Sequence, residues 1–445
     1  MKNSILFWSI TVALAGFLFG FDTVVISGAE KSLQALWGGF SLFGSTALFH
    51  GIVVVGSALW GTVIGAIFGG IPTDKYGRKT TLIWIGVFYF VSAAGSAMVS
   101  DPWLFAFFRF LGGLGVGAST VAAPAYVSEI APASRRGRLV ALYQFNIVFG
   151  ILIAFLSNYL LSGIEESAWR WMIGIEALPA LIYTLMVFTV PKSPRWLLAK
   201  QNNRTEAAKI LKLIDPQMDT EAEIDRILAD QTTDTGSETI FDNKYRFPLI
   251  LAFLIAFFNQ FSGINALLYF APRIFEAAGL ESEAALLGSI GIGIVNMIFT
   301  LIGLSLIDRF GRKQLMYIGS VGYIISLALV SMAFAMSWTG MAIPLLFFLF
   351  IASHAIGQGT VIWVFISEIF PNHLRAKGQA FGSSVHWVLA AAIPSAMPVL
   401  FTSIGPSPVF GIFATMMVLQ LLFVWRMMPE TKGVPLEELE KQLSR

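Results

Sequence analysis

Apolar runs of membrane-spanning length recur along the chain, and they limit it more than any other feature. They lie near residues 5–28, 43–71, 80–99, 102–127, 139–161 and 170–190, then near 247–271, 284–307, 314–336, 341–366, 378–402 and 406–428. A hydrocarbon layer about 30 Å thick takes about 20 apolar residues per helical span. Inside it every backbone polar group needs an internal partner, so only helices or closed barrels cross. These runs are far too long for barrel strands. The expected fold is an all-α membrane protein with twelve transmembrane helices in the lipid bilayer. The chain is 56% hydrophobic and 13% charged, which fits. Met1-Lys2 leads directly into the first run, which is too long for a signal-peptide core and reads as a retained span.

Several functions find no support. A net charge of +2 points to no polyanionic partner, so no nucleic acid is expected. Without cysteine there is no disulfide, thiolate metal site or cysteine nucleophile. No metal-ligand spacing, phosphate-cradling glycine run or nucleophile–base pair stands out, so no cofactor, enzyme activity or ATP-driven pump is indicated. His50 and His373 read as solvated, and His354 as a buried hydrogen-bonding residue.

The loops assign an orientation. One set carries Lys75, Arg78, Lys79, Arg135, Arg136, Arg138, Arg309, Arg312, Lys313, Arg375 and Lys377. The opposite set carries few bases and the acids Glu165, Glu166, Glu276, Glu281 and Glu283. The positive-inside rule places the first set, and both termini, in the cytoplasm. The polar interval divides the chain into an N-terminal six-helix bundle (1–190), an intracellular helical domain (191–246), a C-terminal six-helix bundle (247–428) and a cytoplasmic tail (429–445). Within the interval, RTEAAKILKLI and DTEAEIDRILAD carry apolar residues at helical spacing.

The halves echo each other. Asp74-Lys75-Tyr76-Gly77-Arg78-Lys79 returns as Asp308-Arg309-Phe310-Gly311-Arg312-Lys313. Ser128-Glu129-Ile130, with Pro132 and Arg136, returns as Ser367-Glu368-Ile369, with Pro371 and Arg375. Pro191-Lys192-Ser193 is echoed by Pro429-Glu430-Thr431. The offsets are 234, 239 and 238 residues, in the same order, which implies two pseudo-symmetric six-helix units. Such repeats mark secondary transporters, whose site lies near the midplane between the halves. The echoed charges Asp74, Arg78, Glu129, Arg136, Asp308, Arg312, Glu368 and Arg375 are expected to clasp the inner helix ends in one state and part in another. Gly61, Gly65 and Gly69, and Gly113 and Gly117, form small-residue stripes for close helix packing.

Polar residues within spans are costly unless they face the interior. Span five has Gln144 and Asn146, and span seven has Asn259, Gln260, Ser262, Asn265 and then Tyr269. Span eight has Asn296, span ten Gln358 and Trp363, and span eleven His386 and Trp387. Amides and indoles dominate and acids are almost absent. Amides donate to and accept from hydroxyls, and aromatic faces stack on the C–H side of a sugar ring. This chemistry suits a neutral polyhydroxylated ligand. Gly263 beside Asn265 suggests a broken helix, where transporters often bind.

One acid interrupts the first run: Asp22, in FGFDTVVISG. Desolvation disfavours a charged carboxyl and a nearby cation favours it. If a cation approached in one conformation and withdrew in the other, proton affinity would follow the transport cycle. A permanent ion pair that only holds helices together is the other reading.

These segments resemble the sugar porter family of the major facilitator superfamily over essentially the whole chain. The likeness is carried by Asp74–Lys79, Arg109-Phe110-Leu111-Gly112-Gly113, Pro191-Lys192-Ser193-Pro194-Arg195-Trp196-Leu197, Gln260-Phe261-Ser262-Gly263-Ile264-Asn265 and Pro429-Glu430-Thr431-Lys432-Gly433. The resemblance implies a hexose or pentose site built from Gln144, Gln260, Asn265, Asn296 and Trp363. It adds Phe19 as a lining aromatic and Tyr269 as an outer gating aromatic. Asn259 stands where the family usually has glutamine, and His386-Trp387 where relatives carry Gln-Trp or Asn-Trp. Span ten reads Gly357-Gln358-Gly359-Thr360, without the proline common there. Proton-coupled relatives resemble this chain in an Asp at the Asp22 position and an Arg matched by Arg109. The reading is a proton-coupled monosaccharide importer working by alternating access as a monomer in a bacterial inner membrane. A facilitator of the same sugars is the alternative. A sugar sensor would be expected to carry a longer tail than the 17 residues from Pro429.

Overall fold

The computed structural model describes residues 3–131, 136–164, 167–232, 239–371, 373–434 and 436–443. Among these residues the chain is helices joined by turns, with one isolated bridge, Leu42 to Ser45. Eleven described helices are long and apolar enough to span a membrane. A twelfth span is the bent pair Thr46–Val55 and Ser57–Phe68, turned by 47°. Its first half begins as an α-helical turn, Thr46–Phe49, and continues as a π-helix, His50–Val55; such insertions are a known cause of sharp helix bends.

The spans follow the apolar runs with physical adjustments. The first helix, Asn3–Leu36, continues beyond its apolar run because Glu30 and Lys31 extend the same helix into a polar cluster. Span seven is two helices, Arg246–Phe261 and Ile264–Ala277, and span ten is two, Ala342–Ile356 and Gln358–Glu368. Gly263 makes the first break with φ +83°, a left-handed conformation that only glycine adopts readily. A Cβ there would lie 2.5 Å from the Phe413 ring, so the break and its packing require the same residue.

The described chain forms two compact units. The first is Met1–Asp22, Trp60–Ile151 and Ile173–Ser237. The second is Thr23–Leu59, Leu152–Met172 and Glu238–Arg445. In the first, span three (Arg78–Met98) packs on span four (Pro102–Ile130) and on Ala177–Thr189 of span six. In the second, span nine (Arg312–Ala335) packs on Ala342–Ile356 of span ten and on span twelve (Pro406–Arg426). The third helix of each half thus meets the fourth and the sixth, as a duplicated unit requires. The small-residue stripe on span two packs as expected. Cβ atoms at Gly61 and Gly65 would fall 2.2 and 2.4 Å from the backbone oxygens of Phe110 and Leu114.

Among its described residues the interval holds three α-helices, Pro194–Gln201, Arg204–Ile214 and Thr220–Thr232, and a short 3-10 helix, Asn243–Tyr245. Ser193 and Asn203 cap the first two through the amides of Trp196 and Glu206. Ala207, Ile210, Leu211 and Ile214 fall on one helical face and are buried.

Two expectations fail. Acids are not nearly absent from the buried interior: Glu30 and Glu176 are each 1% exposed. Nor is His50 solvated. It is buried, with Nε2 2.8 Å from Glu30 Oε1. His354 is half-buried and, as expected, hydrogen-bonds, meeting the hydroxyl of Tyr323.

Candidate functional site

The break at Gly263 sets the polar residues of span seven to work on both sides of it. Asn265 Nδ2 donates to Gln260 Oε1 at 2.8 Å, and Gln260 Nε2 donates to Asn259 Oδ1 at 2.9 Å. Gln260 Nε2 also lies 3.2 and 3.3 Å from the two ring nitrogens of His386. The His386 ring sits 4.9 Å from Trp363 and 5.0 Å from Trp387, centre to centre. Gln379 holds Trp363 in place through its backbone carbonyl, at 2.9 Å. The second unit therefore brings together six residues expected at a site: Asn259, Gln260, Asn265, Trp363, His386 and Trp387. Its recognition chemistry is amide, imidazole and indole, without a carboxylate. Asn296 is buried and takes a hydrogen bond from Thr300 of its own helix, at 3.4 Å. Tyr269 is buried just before a kink at Phe270.

The first unit holds the charged pair. Arg109 donates to the Asp22 carboxylate, and through its other terminal nitrogen to the Asp22 carbonyl at 3.2 Å. Both side chains are buried. Gly112, one turn along from Arg109, admits Ser92. A Cβ there would lie 2.4 Å from Ser92 Oγ and 4.0 Å from Asp22 Oδ1. Glu176 of span six, which the sequence reading missed, interacts electrostatically with both Asp22 and Arg109. Its signal was available, as a lone carboxylate in the apolar stretch GIEALPAL. Phe19 and Gln144 belong to this unit and are half-buried. Asn146 turns back onto its own helix, donating to the Leu142 carbonyl at 2.8 Å.

The echoed charges form the same cluster twice. Arg78 donates from Nε to Glu129 at 3.0 Å and from a terminal nitrogen to Asp74 at 2.9 Å, while Ser193 donates to Glu129. Arg312 donates to Glu368 at 3.0 and 2.7 Å and to Asp308 at 3.3 Å, while Thr431 donates to Glu368 at 2.6 Å. Gly77 and Gly311 open the two following helices with the same φ of +90°. Arg375 lines a cavity of about 310 Å³ beside Glu368 and Thr431. The helix that Arg136 opens is described, and its side chain lies outside the described residues.

The ends of spans one, two and seven away from these basic turns carry another cluster. Glu30 accepts from His50 and from Arg273, whose Nε and terminal nitrogen take one oxygen each at 3.0 and 2.7 Å. Arg273 also reaches Gln34, and Lys31 pairs with Glu276. The sequence reading placed Arg273 in the loop set opposite the basic turns and did not single out Glu30.

A duplicated helical membrane fold, a broken helix lined with amides, and a buried acid–base pair together define a secondary transporter. Residues 8–443 match the family model described as "Sugar (and other) transporter", and the chain belongs to that family. It is 33% identical to the D-xylose-proton symporter of Escherichia coli (strain K12), over 98% of this chain and 96% of that one. It is 36% identical to the arabinose-proton symporter of Bacillus subtilis (strain 168), over 97% and 94%. The inward-open xylose transporter XylE from E. coli superposes with a TM-score of 0.87 at 32% identity, covering 99% of this chain and all of that one. These relatives are transporters, not enzymes, and this chain is an integral multi-pass membrane protein.

Proposed function

We propose that the chain imports a monosaccharide, a hexose or a pentose, together with a proton by alternating access. The observation that carries this is the buried Asp22–Arg109 pair in a chain whose ligand-type cluster is otherwise uncharged. Gln260, Asn265, Asn259, His386, Trp363 and Trp387 are assigned to the sugar, with Gln144, Asn296 and Phe19 as further lining. Tyr269 is assigned to the gate. Asp22 carries the proton, and Arg109 sets how tightly it is held. The membrane potential adds about 2.3 kcal/mol per charge per 100 mV to such a cycle. Symport agrees with the relatives named as xylose-proton and arabinose-proton symporters.

The remaining assignments follow from this reading. The basic turns and both termini face the cytoplasm, by charge. The membrane is a bacterial plasma membrane, and the working unit is a monomer. Residues 1–190 and 247–428 act as the two bundles, with 191–246 as the helical domain between them and 429–445 as a tail. The clusters at Glu129 and Glu368, with Asp74, Arg78, Arg136, Asp308, Arg312 and Arg375, are the inner gate. The Glu30–Arg273 cluster is the outer one.

A facilitator is the second reading, favoured by the direct Arg109–Asp22 bond, which a static ion pair would also make. Sugar-driven proton uptake into proteoliposomes separates the two. External alkalinisation on adding sugar, lost in Asp22→Asn while sugar exchange persists, is the expected result. Sugar flux without proton movement in the wild type overturns symport.

A further inference from the structure

Five side-chain amides of the second unit hydrogen-bond in a single direction. Asn265 donates to Gln260 at 2.8 Å, Gln260 to Asn259 at 2.9 Å, and Asn259 to Gln358 at 3.5 Å. Gln358 then donates to Gln420 at 2.8 Å, and Gln420 to Ser320 Oγ at 2.8 Å. The series starts on span seven beside His386, crosses spans ten and twelve, and ends on span nine. Gln358, Gln420 and Ser320 are each 0% exposed, so none of the three reaches a cavity.

An amide has a donor end and an acceptor end, so the orientation of each one dictates the next. Turning one link alone would set NH₂ against NH₂ or oxygen against oxygen. In an apolar interior such unpaired atoms are strongly disfavoured. The series therefore holds one polarity along its whole length. At its span-seven end that polarity has a chemical result. Gln260 Nε2 gives one hydrogen to Asn259 and turns the other to His386. Its carbonyl oxygen keeps a lone pair beside the one taken by Asn265. A neutral His386 that accepts from Gln260 carries its proton on the other ring nitrogen. One ligand hydroxyl can then donate to Gln260 and accept from His386.

We propose that Gln420 and Ser320 are positioning residues for the sugar site: through Gln358 and Asn259 they fix which atoms Gln260 and His386 present to a sugar hydroxyl. This rests on the monosaccharide reading above. Neither residue touches the sugar. A role confined to joining spans nine, ten and twelve predicts effects on stability alone.

Two near-isosteric substitutions separate the roles. In Gln420→Glu, a carboxyl in these apolar surroundings still accepts from Gln358 and still pairs with Ser320, so the polarity persists. In Gln420→Met both bonds vanish. The full-length variants are titrated with D-xylose, arabinose and glucose by tryptophan emission, since Trp363 and Trp387 flank His386. Saturating exchange rates are measured in proteoliposomes. Gln420→Met is expected to weaken binding about tenfold, the worth of one such hydrogen bond. It also changes the order of preference among the three sugars and leaves the saturating rate near wild type. Gln420→Glu is expected to stay within about twofold of wild type, since its bonding pattern is retained. Wild-type affinities and order in Gln420→Met overturn the proposal. So do equal losses in both variants that track their melting temperatures. Should Gln420→Met not fold, Ser320→Ala decides, and an unchanged sugar order there overturns the positioning role. A wild type that binds none of the three sugars overturns the monosaccharide reading itself, and the positioning role with it.

Discussion

Arg109 meets Asp22 twice, once at the carboxylate and once at the backbone carbonyl, with both side chains buried. Removing one partner of a buried pair costs about 3–5 kcal/mol when the other charge is left stranded. Here Glu176 supplies a second buried carboxyl that acts on both members. Asp22→Asn therefore leaves Arg109 a substitute counter-charge, and the variant is expected to melt close to wild type. Glu176→Gln is expected to do the same. The double variant removes both buried carboxyls that act on Arg109, and its loss should far exceed the sum of the singles. Thermal-shift measurements on the purified protein check this, and additive losses would remove Glu176 from the pair's surroundings.

The repeated cluster predicts paired effects. Glu129 and Glu368 each receive an arginine and a hydroxyl while half-buried. Replacing either with glutamine should cost about 1.5–3 kcal/mol, the range for hydrogen bonds to charged groups. The aspartate side chains are 66% and 84% exposed, so Asp74→Asn and Asp308→Asn should cost about 0–1 kcal/mol. Charge reversal, Glu129→Arg or Glu368→Arg, is expected to change transport turnover. Unaltered kinetics in both would leave the clusters as static structure.

Gly311 and Gly77 make a separate pair. Their φ of +90° with extended ψ, a region essentially reserved for glycine, disfavours any side chain by about 1–3 kcal/mol. A Cβ at Gly311 would also lie 2.5 Å from Glu430 Oε2, and Glu430 caps the amides of Arg312 and Lys313 at 3.0 Å each. At Gly77 the obstacle is Trp196, at 2.9 Å. Gly311→Ala should thus be the more damaging, because it uncaps span nine as well as straining the turn. The melting temperatures of the two variants give the comparison, and the reverse order would contradict it.

Arg273 grips Glu30 with a fork, one nitrogen to each oxygen. Lysine keeps the charge and cannot reproduce the fork. Arg273→Lys should therefore lose much of what Arg273→Gln loses, about 1.5–3 kcal/mol for hydrogen bonds to a charged group, since His50 still meets Glu30. If Arg273→Lys is as stable as wild type, charge alone holds the cluster.

Much of this protein is local, and so was legible in one dimension. The apolar runs determined the helices, since a chain in lipid has no other way to satisfy its backbone over that length. The echoes at Arg78 and Arg312 determined the duplication, and the Gly263 break followed from glycine beside amides. Some residues that act through distant partners were not legible. Glu176 lies 67 positions from Arg109, and Glu30 lies 243 from Arg273. Gln420 is a single amide in LQLLFVW that looks like any isolated polar residue. Only packing gives it Gln358 on one side and Ser320 on the other. Sequence determined which polar groups are buried in apolar helices. Tertiary structure decided which of them satisfy one another, because hydrogen bonds and ion pairs depend on ångström distances between helices that spacing along the chain does not encode.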